Sequence, residues 1–105
     1  MASGVEFVDY VCEQLANAGE ITYRRMFGSY GIYMDGKFIA LICDDQFFLK
    51  PTAVGKQILV APTEEPPFHG AKDWYIIEDF DDRDFLAHLL TATWEALPFP
   101  KPKKK

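Results

Sequence analysis

The fold is decided by residues Ile21–Pro51, which read ITYRRMFGSYGIYMDGKFIALICDDQFFLKP. β-Branched and aromatic residues are frequent in this stretch, and short turn signals divide it into four segments. Asp35–Gly36 lies between two apolar segments and predicts a hairpin turn, because Gly accepts the positive φ of a type I′ turn without strain. Asp44–Asp45 predicts a second turn, and Pro51 ends the last segment because proline cannot donate to a ladder. The stretch therefore predicts an antiparallel meander of four strands.

The third segment, Lys37–Cys43, is apolar at both alternating sets of positions. Strict alternation predicts one face of Phe38, Ala40 and Ile42 and an opposite face of Ile39, Leu41 and Cys43. A strand that is apolar on both sides is covered on both sides. One cover is expected to be helical. For the other, a second helix layer, a long loop and a partner chain all fit the sequence, and we favour a homodimer.

The flanking sequence predicts further elements in a fixed order. Helical spacing of apolar residues, capping residues and breakers define them. They are a helix from about Gly4 to Ala18 with a Ser3–Glu6 capping box, a short helix over 52–60 capped by Thr52, a loop over Ala61–Gly70, an edge strand at Trp74–Ile77, and a helix from Asp81 or Asp82 to about Leu97. The order α-β-β-β-β-α-β-α predicts an α+β domain, with an antiparallel sheet of about five strands packed against helices. Residues 1–97 form the domain, and the Pro/Lys-rich residues 98–105 are expected to be a disordered tail.

The same meander resembles the N-terminal domain of the TfoX/Sxy family. The matching motifs are Arg24-Arg25-Met26-Phe27-Gly28, Tyr30-Gly31-Ile32-Tyr33, Asp35-Gly36, Phe38-Ile39-Ala40-Leu41 and Phe48-Leu49-Lys50. The resemblance implies a fold similar to the secretion-chaperone-like α+β domains and a role among regulators of bacterial competence genes. In that family a second, C-terminal domain usually follows. We expect this chain, which runs to Lys105, to represent the first domain alone.

Composition and charge limit the classes of function. The 105 residues carry a net charge of −5, and the chain without its four terminal lysines stands at −9. An acidic body repels nucleic-acid phosphates, so direct nucleic-acid binding by the folded part is disfavoured. No apolar run approaches the ~20 residues of a membrane span, and we expect a cytoplasmic protein. Cys12 and Cys43 lack any metal or redox spacing and are expected to be two reduced, buried thiols.

Arg24 and Arg25 are the leading candidate binding residues. Because they are adjacent on a strand they point to opposite faces, and two guanidiniums beside a glycine-containing corner could hold an anion. Alternatively, one of them pairs with an acidic neighbour such as Glu20 or Asp44 while the other lies in solvent. If the face of Arg25 is the covered one, Arg25 must be paired.

The Gly28–Gly31 stretch has a G-x-x-G spacing. No helix follows it, so a phosphate-binding loop is disfavoured, and a bulge or corner that needs glycine at Gly28 and Gly31 is expected. Tyr30 is then either an exposed contact residue or a ring folded back over the sheet. Phe7 and Tyr10 lie away from the apolar stripe of the first helix and are either partly covered edge residues or a surface for a partner or second subunit.

No residue set indicates an enzyme, a metal or a cofactor. Asp79–Asp84 lacks the glycine and the terminal Glu of a calcium loop, and its acids are explained by helix capping. His69 and His88 have no metal or nucleophile partner at a recognisable spacing. Three hypotheses follow: a protein-interaction module in transcription regulation, which we favour; a nucleic-acid-binding protein using Arg24, Arg25, Tyr30 and the lysine tail; and a small enzyme or ligand-binding domain built on Arg25, Tyr23 and Tyr33.

Overall fold

A computed structural model describes residues 4–26 and 28–97. Its elements, in chain order, are α1 (Val5–Gln14), β1 (Ile21–Met26), β2 (Ser29–Met34), β3 (Lys37–Cys43), β4 (Gln46–Leu49), α2 (Ala53–Leu59), β5 (Glu64–Glu65), β6 (Trp74–Ile77) and α3 (Arg83–Ala96). The six strands form one antiparallel sheet in the order β1-β2-β3-β4-β6-β5. The predicted α+β class and order are confirmed, with six strands where about five were expected. The predicted tail over 98–105 lies outside the described residues.

The predicted turns of the meander are confirmed. Asp35 and Gly36 have φ values of 47° and 83°, and Asp44 and Asp45 have φ values of 52° and 59°. Positive φ at both central residues is the signature of a type I′ hairpin, whose twist matches that of the flanking strands.

A β-bulge in β3 overturns the predicted alternation of that strand. Tyr33 pairs with Phe38 and Ile32 pairs with Ala40, so Ile39 is the extra residue between two pairs. Ile39 therefore joins Ala40 and Ile42 in the main core, and Phe38 moves to the face of Leu41. Strict alternation assigned Phe38 and Ile39 to the wrong faces because a bulge shifts the side-chain phase by one residue.

The described helices pack against one face of this sheet and form the main core. Val8, Val11 and Leu15 of α1 and its C-terminal turn, and Leu86, Leu89 and Leu90 of α3, are all buried there. The core lining from the sheet comes from β2, β3, β4 and β6, and from Phe80 in the connection to α3. Phe85, in the first turn of α3, is 37% exposed.

The predicted caps are confirmed for the second and third helices but not for the first. Thr52 accepts a hydrogen bond from the Gly55 amide, and Asp82 accepts one from the Phe85 amide. The N-cap of α1 is Gly4, which provides no side-chain acceptor, and Ser3 lies outside the described residues. The helix also ends at Gln14, earlier than predicted, because residues 15–18 close as tighter turns with a hydrogen bond from the Ala18 amide to the Leu15 carbonyl.

The position of β6 and the existence of β5 differ from the prediction. Trp74–Ile77 was expected at the sheet edge but lies between β4 and the two-residue strand β5. Glu64 and Glu65 pair with Tyr75 and Trp74 inside the segment predicted to be a loop. Two exposed glutamates carry no β-pattern, so this short edge strand depends on its neighbour.

Candidate functional site

The two candidate arginines lie on an exposed sheet edge. Arg24 pairs in register with Gly31, and Arg25 pairs with Tyr30, so the two side chains point to opposite faces as predicted. Both are exposed, and within the described residues no ion pair joins either one to Glu20 or Asp44. Arg25 does share the helix-covered face, yet it needs no partner, because β1 is the edge strand and its side chain still reaches solvent.

The predicted glycine corner is confined to Gly28. Gly28 has a φ of 80° in the turn between β1 and β2, whereas Gly31 is a buried residue within β2. The corner assignment is therefore wrong for Gly31, which pairs with Arg24 on one side and Leu41 on the other. Tyr30 is only 8% exposed and folds back over the sheet, where its ring meets that of Tyr23 at 5.6 Å.

The opposite face of the sheet carries a second apolar cluster. Its buried members are Leu41, Cys43, Phe48 and Ile76, with Phe38 and Trp74 packed against them. All six belong to strands, so among the described residues no helix contributes to this cluster. We call this side of the sheet the helix-free face. Cys43 donates a hydrogen bond to the Ser29 hydroxyl there, while Cys12 packs against the main core on the other side.

A row of aromatic rings and cations crosses one end of the helix-free face. The Arg24 guanidinium lies 5.8 Å from the Tyr33 ring, and Tyr33 lies 5.3 Å from Phe38. The Lys50 ammonium lies 4.5 Å from the Phe38 ring, and the Trp74 ring lies 6.1 Å from Phe38. We call Arg24, Tyr33, Phe38, Lys50 and Trp74 the aromatic–cation row. Burial lowers the pKa of Lys50, because partial desolvation disfavours its charged form.

Sequence reasoning missed most of this row. Trp74 comes from the distant strand β6, and Lys50 directly follows β4. Phe38 was assigned to the other face because the bulge at Ile39 was not visible. The paired register of the hairpins is the signal that could have brought Tyr33 and Phe38 together. The same geometry separates Tyr33 from Arg25, which lie on opposite faces of the sheet. The three side chains that the ligand-binding hypothesis would need in one pocket, Arg25, Tyr23 and Tyr33, therefore do not converge.

Phe7 and Tyr10 both contact Phe80. Each ring meets Phe80 edge-on at 6.3 Å, and Phe7 is half-buried whereas Tyr10 is 44% exposed. They line a cavity of about 430 Å³, and acidic residues that include Asp45 and Asp79 line it as well. Phe7 therefore serves mainly as a core edge residue, and Tyr10 is the part of this pair that a partner could reach.

Lys37 is a buried cation that sequence reasoning overlooked. It is 3% exposed, and its ammonium donates to the carbonyls of Trp94 and Leu97 at the end of α3. The same ammonium lies 4.0 Å from the Trp94 ring, whose indole N–H donates to the Met34 carbonyl. A cation at the carbonyl end of a helix is favourable, so Lys37 fastens α3 to the sheet.

Two further titratable groups lie where α1 approaches β1. Burial, with a smaller effect of Asp9, raises the pKa of Cys12 to about 11. The Asp9 carboxylate is also the main reason that the pKa of Tyr23 is raised. Both groups therefore keep their protons well above neutral pH.

Residues 4–26 and 28–97 contain no group of three His, Cys, Asp or Glu side chains placed to hold a metal ion. In the same ranges no helix has the length and apolar character needed to cross a membrane.

The fold and the site define a class: a small α+β domain whose helices cover one face of a meander sheet and whose other face is built of aromatic and apolar strand residues. The TfoX N-terminal domain model matches residues 13–97, so the chain belongs to the TfoX N-terminal domain family. It is also 34% identical over 105 residues to a protein of Spirochaeta aurantia described as an uncharacterized 12.7 kDa protein in the trpE 5′ region. That match covers 99% of this chain and 91% of the relative.

Proposed function

We propose that this domain is a non-enzymatic protein-interaction module that acts in transcription regulation in the cytoplasm, through protein contacts on its helix-free face, and that it forms a homodimer. Membership of the TfoX N-terminal domain family supports the regulatory part of the proposal, since TfoX/Sxy proteins are regulators of bacterial competence genes.

The single observation that carries the proposal is the second apolar cluster with the aromatic–cation row over it. Aromatic residues and arginine are enriched at the centres of protein interfaces, where rings supply contact area at low entropic cost. Tyr33, Phe38 and Trp74 are all partly exposed, so a partner can complete their burial. Lys50 and Arg24 lie beside these rings, and their charges can fix the orientation of that partner.

A second copy is the simplest occupant of this face. A two-fold dimer uses the same patch on both subunits, and an apolar sheet face can pack against its own copy. Protein partners in the transcription machinery compete with this self-association or add to it.

Nucleic-acid binding is the second candidate function, favoured by one observation: rings and cations alternate in the aromatic–cation row, as they do in single-strand binding surfaces. The body at −9 works against it, and Tyr30 is buried, so we rank it below protein contact.

The test combines sedimentation velocity of the purified protein with affinity capture from the host lysate at physiological salt. Trp74→Glu places a charge in the row, and Phe85→Glu is the matched control on an exposed ring of α3. We expect a concentration-dependent dimer and reproducible protein partners that Trp74→Glu removes and Phe85→Glu retains. Circular dichroism melts confirm that both variants fold. Monomers at every concentration, together with identical captured proteins for all three chains, would contradict the proposal.

A further inference from the structure

The outer edge of β1 is the long open edge of the sheet. Among the described residues β1, which has six residues, pairs only with β2, whereas the other edge is the two-residue strand β5. A strand edge presents backbone N–H and C=O groups that can pair with another extended chain. The short acidic edge at Glu64–Glu65 offers little length for such pairing, so β1 is where an added strand fits.

The side chains of this edge are cationic in an otherwise acidic protein. Thr22, Tyr23, Arg24 and Arg25 are all exposed. Within the described residues neither arginine forms an ion pair; the Arg24 guanidinium rests over the Tyr33 ring instead. The charges of the two guanidiniums are therefore not neutralised by any acidic side chain of the described residues.

We propose that the outer edge of β1 receives an extended, acidic segment of a partner protein as an added strand. The inference deepens the proposed protein-contact function and rests on it. It uses the backbone edge of β1, and Arg24 is the one residue that this edge shares with the aromatic–cation row. Strand addition draws affinity from main-chain hydrogen bonds and specificity from alternate side chains.

The alternation of β1 states what the partner segment must contain. Because Arg24 and Arg25 point to opposite faces, two carboxylates can reach both arginines only if they are adjacent in the added strand. The flanking residues should be β-branched, and proline should be absent. A second copy paired through the same edge would bring arginines of both subunits together, and like charges on paired strands are destabilising.

The experiment uses three labelled octapeptides and fluorescence anisotropy with the full chain. The first is Val-Thr-Val-Glu-Glu-Val-Thr-Val, acetylated and amidated. The second has the same composition with its glutamates separated by one residue, and the third has lysines in place of the adjacent glutamates. Strand addition predicts that the adjacent-glutamate peptide binds about tenfold more tightly than the separated one, because only the first meets both arginines. Equal binding of the two acidic peptides would overturn the proposal, since net charge alone would explain it.

Charge reversal and amide exchange complete the test. The double variant Arg24→Glu/Arg25→Glu should bind the adjacent-glutamate peptide about tenfold more weakly and the lysine peptide more tightly than the unchanged protein does. The exposed control Lys56→Glu/Lys72→Glu should rank the three peptides in the same order of affinity as the unchanged protein. Hydrogen exchange of the amides in β1 should slow on peptide addition. Unchanged exchange, absence of peptide binding, or tighter binding of an oligothymidylate than of any peptide would each overturn strand addition. Sedimentation measures dimerisation through the helix-free face separately. A failure of peptide binding at β1 would therefore leave the test of the dimer unaffected.

Discussion

The two faces of the sheet bury their apolar residues in different ways. On the helix-covered face, strand residues such as Ile32 and Leu49 are fully buried beneath apolar helix side chains. On the helix-free face, Leu41 and Phe48 are buried among other strand residues, with partly exposed rings above them. The first arrangement is complete within the domain, and the second leaves aromatic surface that an interaction can use. A sheet face can therefore hold buried residues and still expose aromatic surface to a partner.

A matched pair of leucines tests this contrast most strongly. Leu49→Ala on the helix-covered face should lower the free energy of unfolding by about 3–4 kcal/mol, since it opens a cavity in a dense core. Leu41→Ala on the helix-free face should cost about 2 kcal/mol, because fewer rigid neighbours surround it. Urea unfolding measures both. If the face mediates a dimer, the cost of Leu41→Ala should also depend on protein concentration, while that of Leu49→Ala should depend on it much less. Equal costs would break the comparison.

Two lysines provide a second test of the difference between the two faces, because each ammonium lies over an aromatic ring on a different face. Lys37→Met should lower the unfolding free energy by about 2 kcal/mol, since the carbonyls at the end of α3 lose a charged donor. Lys50→Met should change it by less than about 0.5 kcal/mol, because Lys50 is partly exposed and its lost ring contact is offset by the relief of desolvation. Thermal melts compare them, and a larger loss for Lys50→Met would show that the helix-free face is the more tightly organised side.

Thr93 offers a stabilising test on the helix-covered face. Its side chain is fully buried, and the hydroxyl oxygen has no hydrogen-bond partner in the part of the chain that the structure describes. Thr93→Val keeps the shape and removes the unsatisfied hydroxyl, so the free energy of unfolding should rise by about 1 kcal/mol. Thr91→Val, at an exposed position of the same helix, is the control and should change stability little. A loss of stability in Thr93→Val would indicate that the hydroxyl is satisfied in solution.

Alkaline unfolding provides the smallest effect. The folded pKa of Cys12 is about 11 against an ordinary 9.0, so the folded protein holds a proton that the unfolded chain releases. Its contribution to stability is complete below pH 9.0 and is lost as the pH rises through about 11, by about 1 kcal/mol after allowance for partial exposure. Cys12→Ala should flatten this decline between pH 9 and 10 in denaturant titrations. Tyr23→Phe serves as the comparison, since the raised pKa of Tyr23 acts in the same direction at higher pH. An unchanged slope in Cys12→Ala would contradict the burial of its thiol.

Sequence patterns predicted the elements whose signals are local. The turn at Asp35–Gly36 and the caps at Thr52 and Asp82 follow from residues within a few positions, and all three are confirmed. The bulge at Ile39 could not be predicted, because it depends on how two strands pair. β5 was missed for a similar reason, because Glu64–Glu65 forms a strand only by pairing with Tyr75 and Trp74 of β6.

The candidate site divides in the same way. Arg24 and Arg25 were identified correctly as adjacent residues on opposite faces, since strand alternation is a local property. Whether they pair with Glu20 or Asp44 depends on tertiary placement, so the lack of such a pair among the described residues could not be predicted. The aromatic–cation row combines residues of β1, β2, β3 and β6 with Lys50, which follows β4, so no short window of sequence contains it.

The bulge at Ile39 has a consequence for how the chain finds its structure. A hairpin that slipped by one residue would carry Ile39 out of the main core, and the phase shift in β3 would no longer match β2. Only one alignment of these two strands satisfies both apolar clusters at once. Because the hairpin is local in sequence, this choice can be made early, before the distant strand β6 arrives. The extra residue, Ile39, thus selects a single register of β2 and β3 during folding.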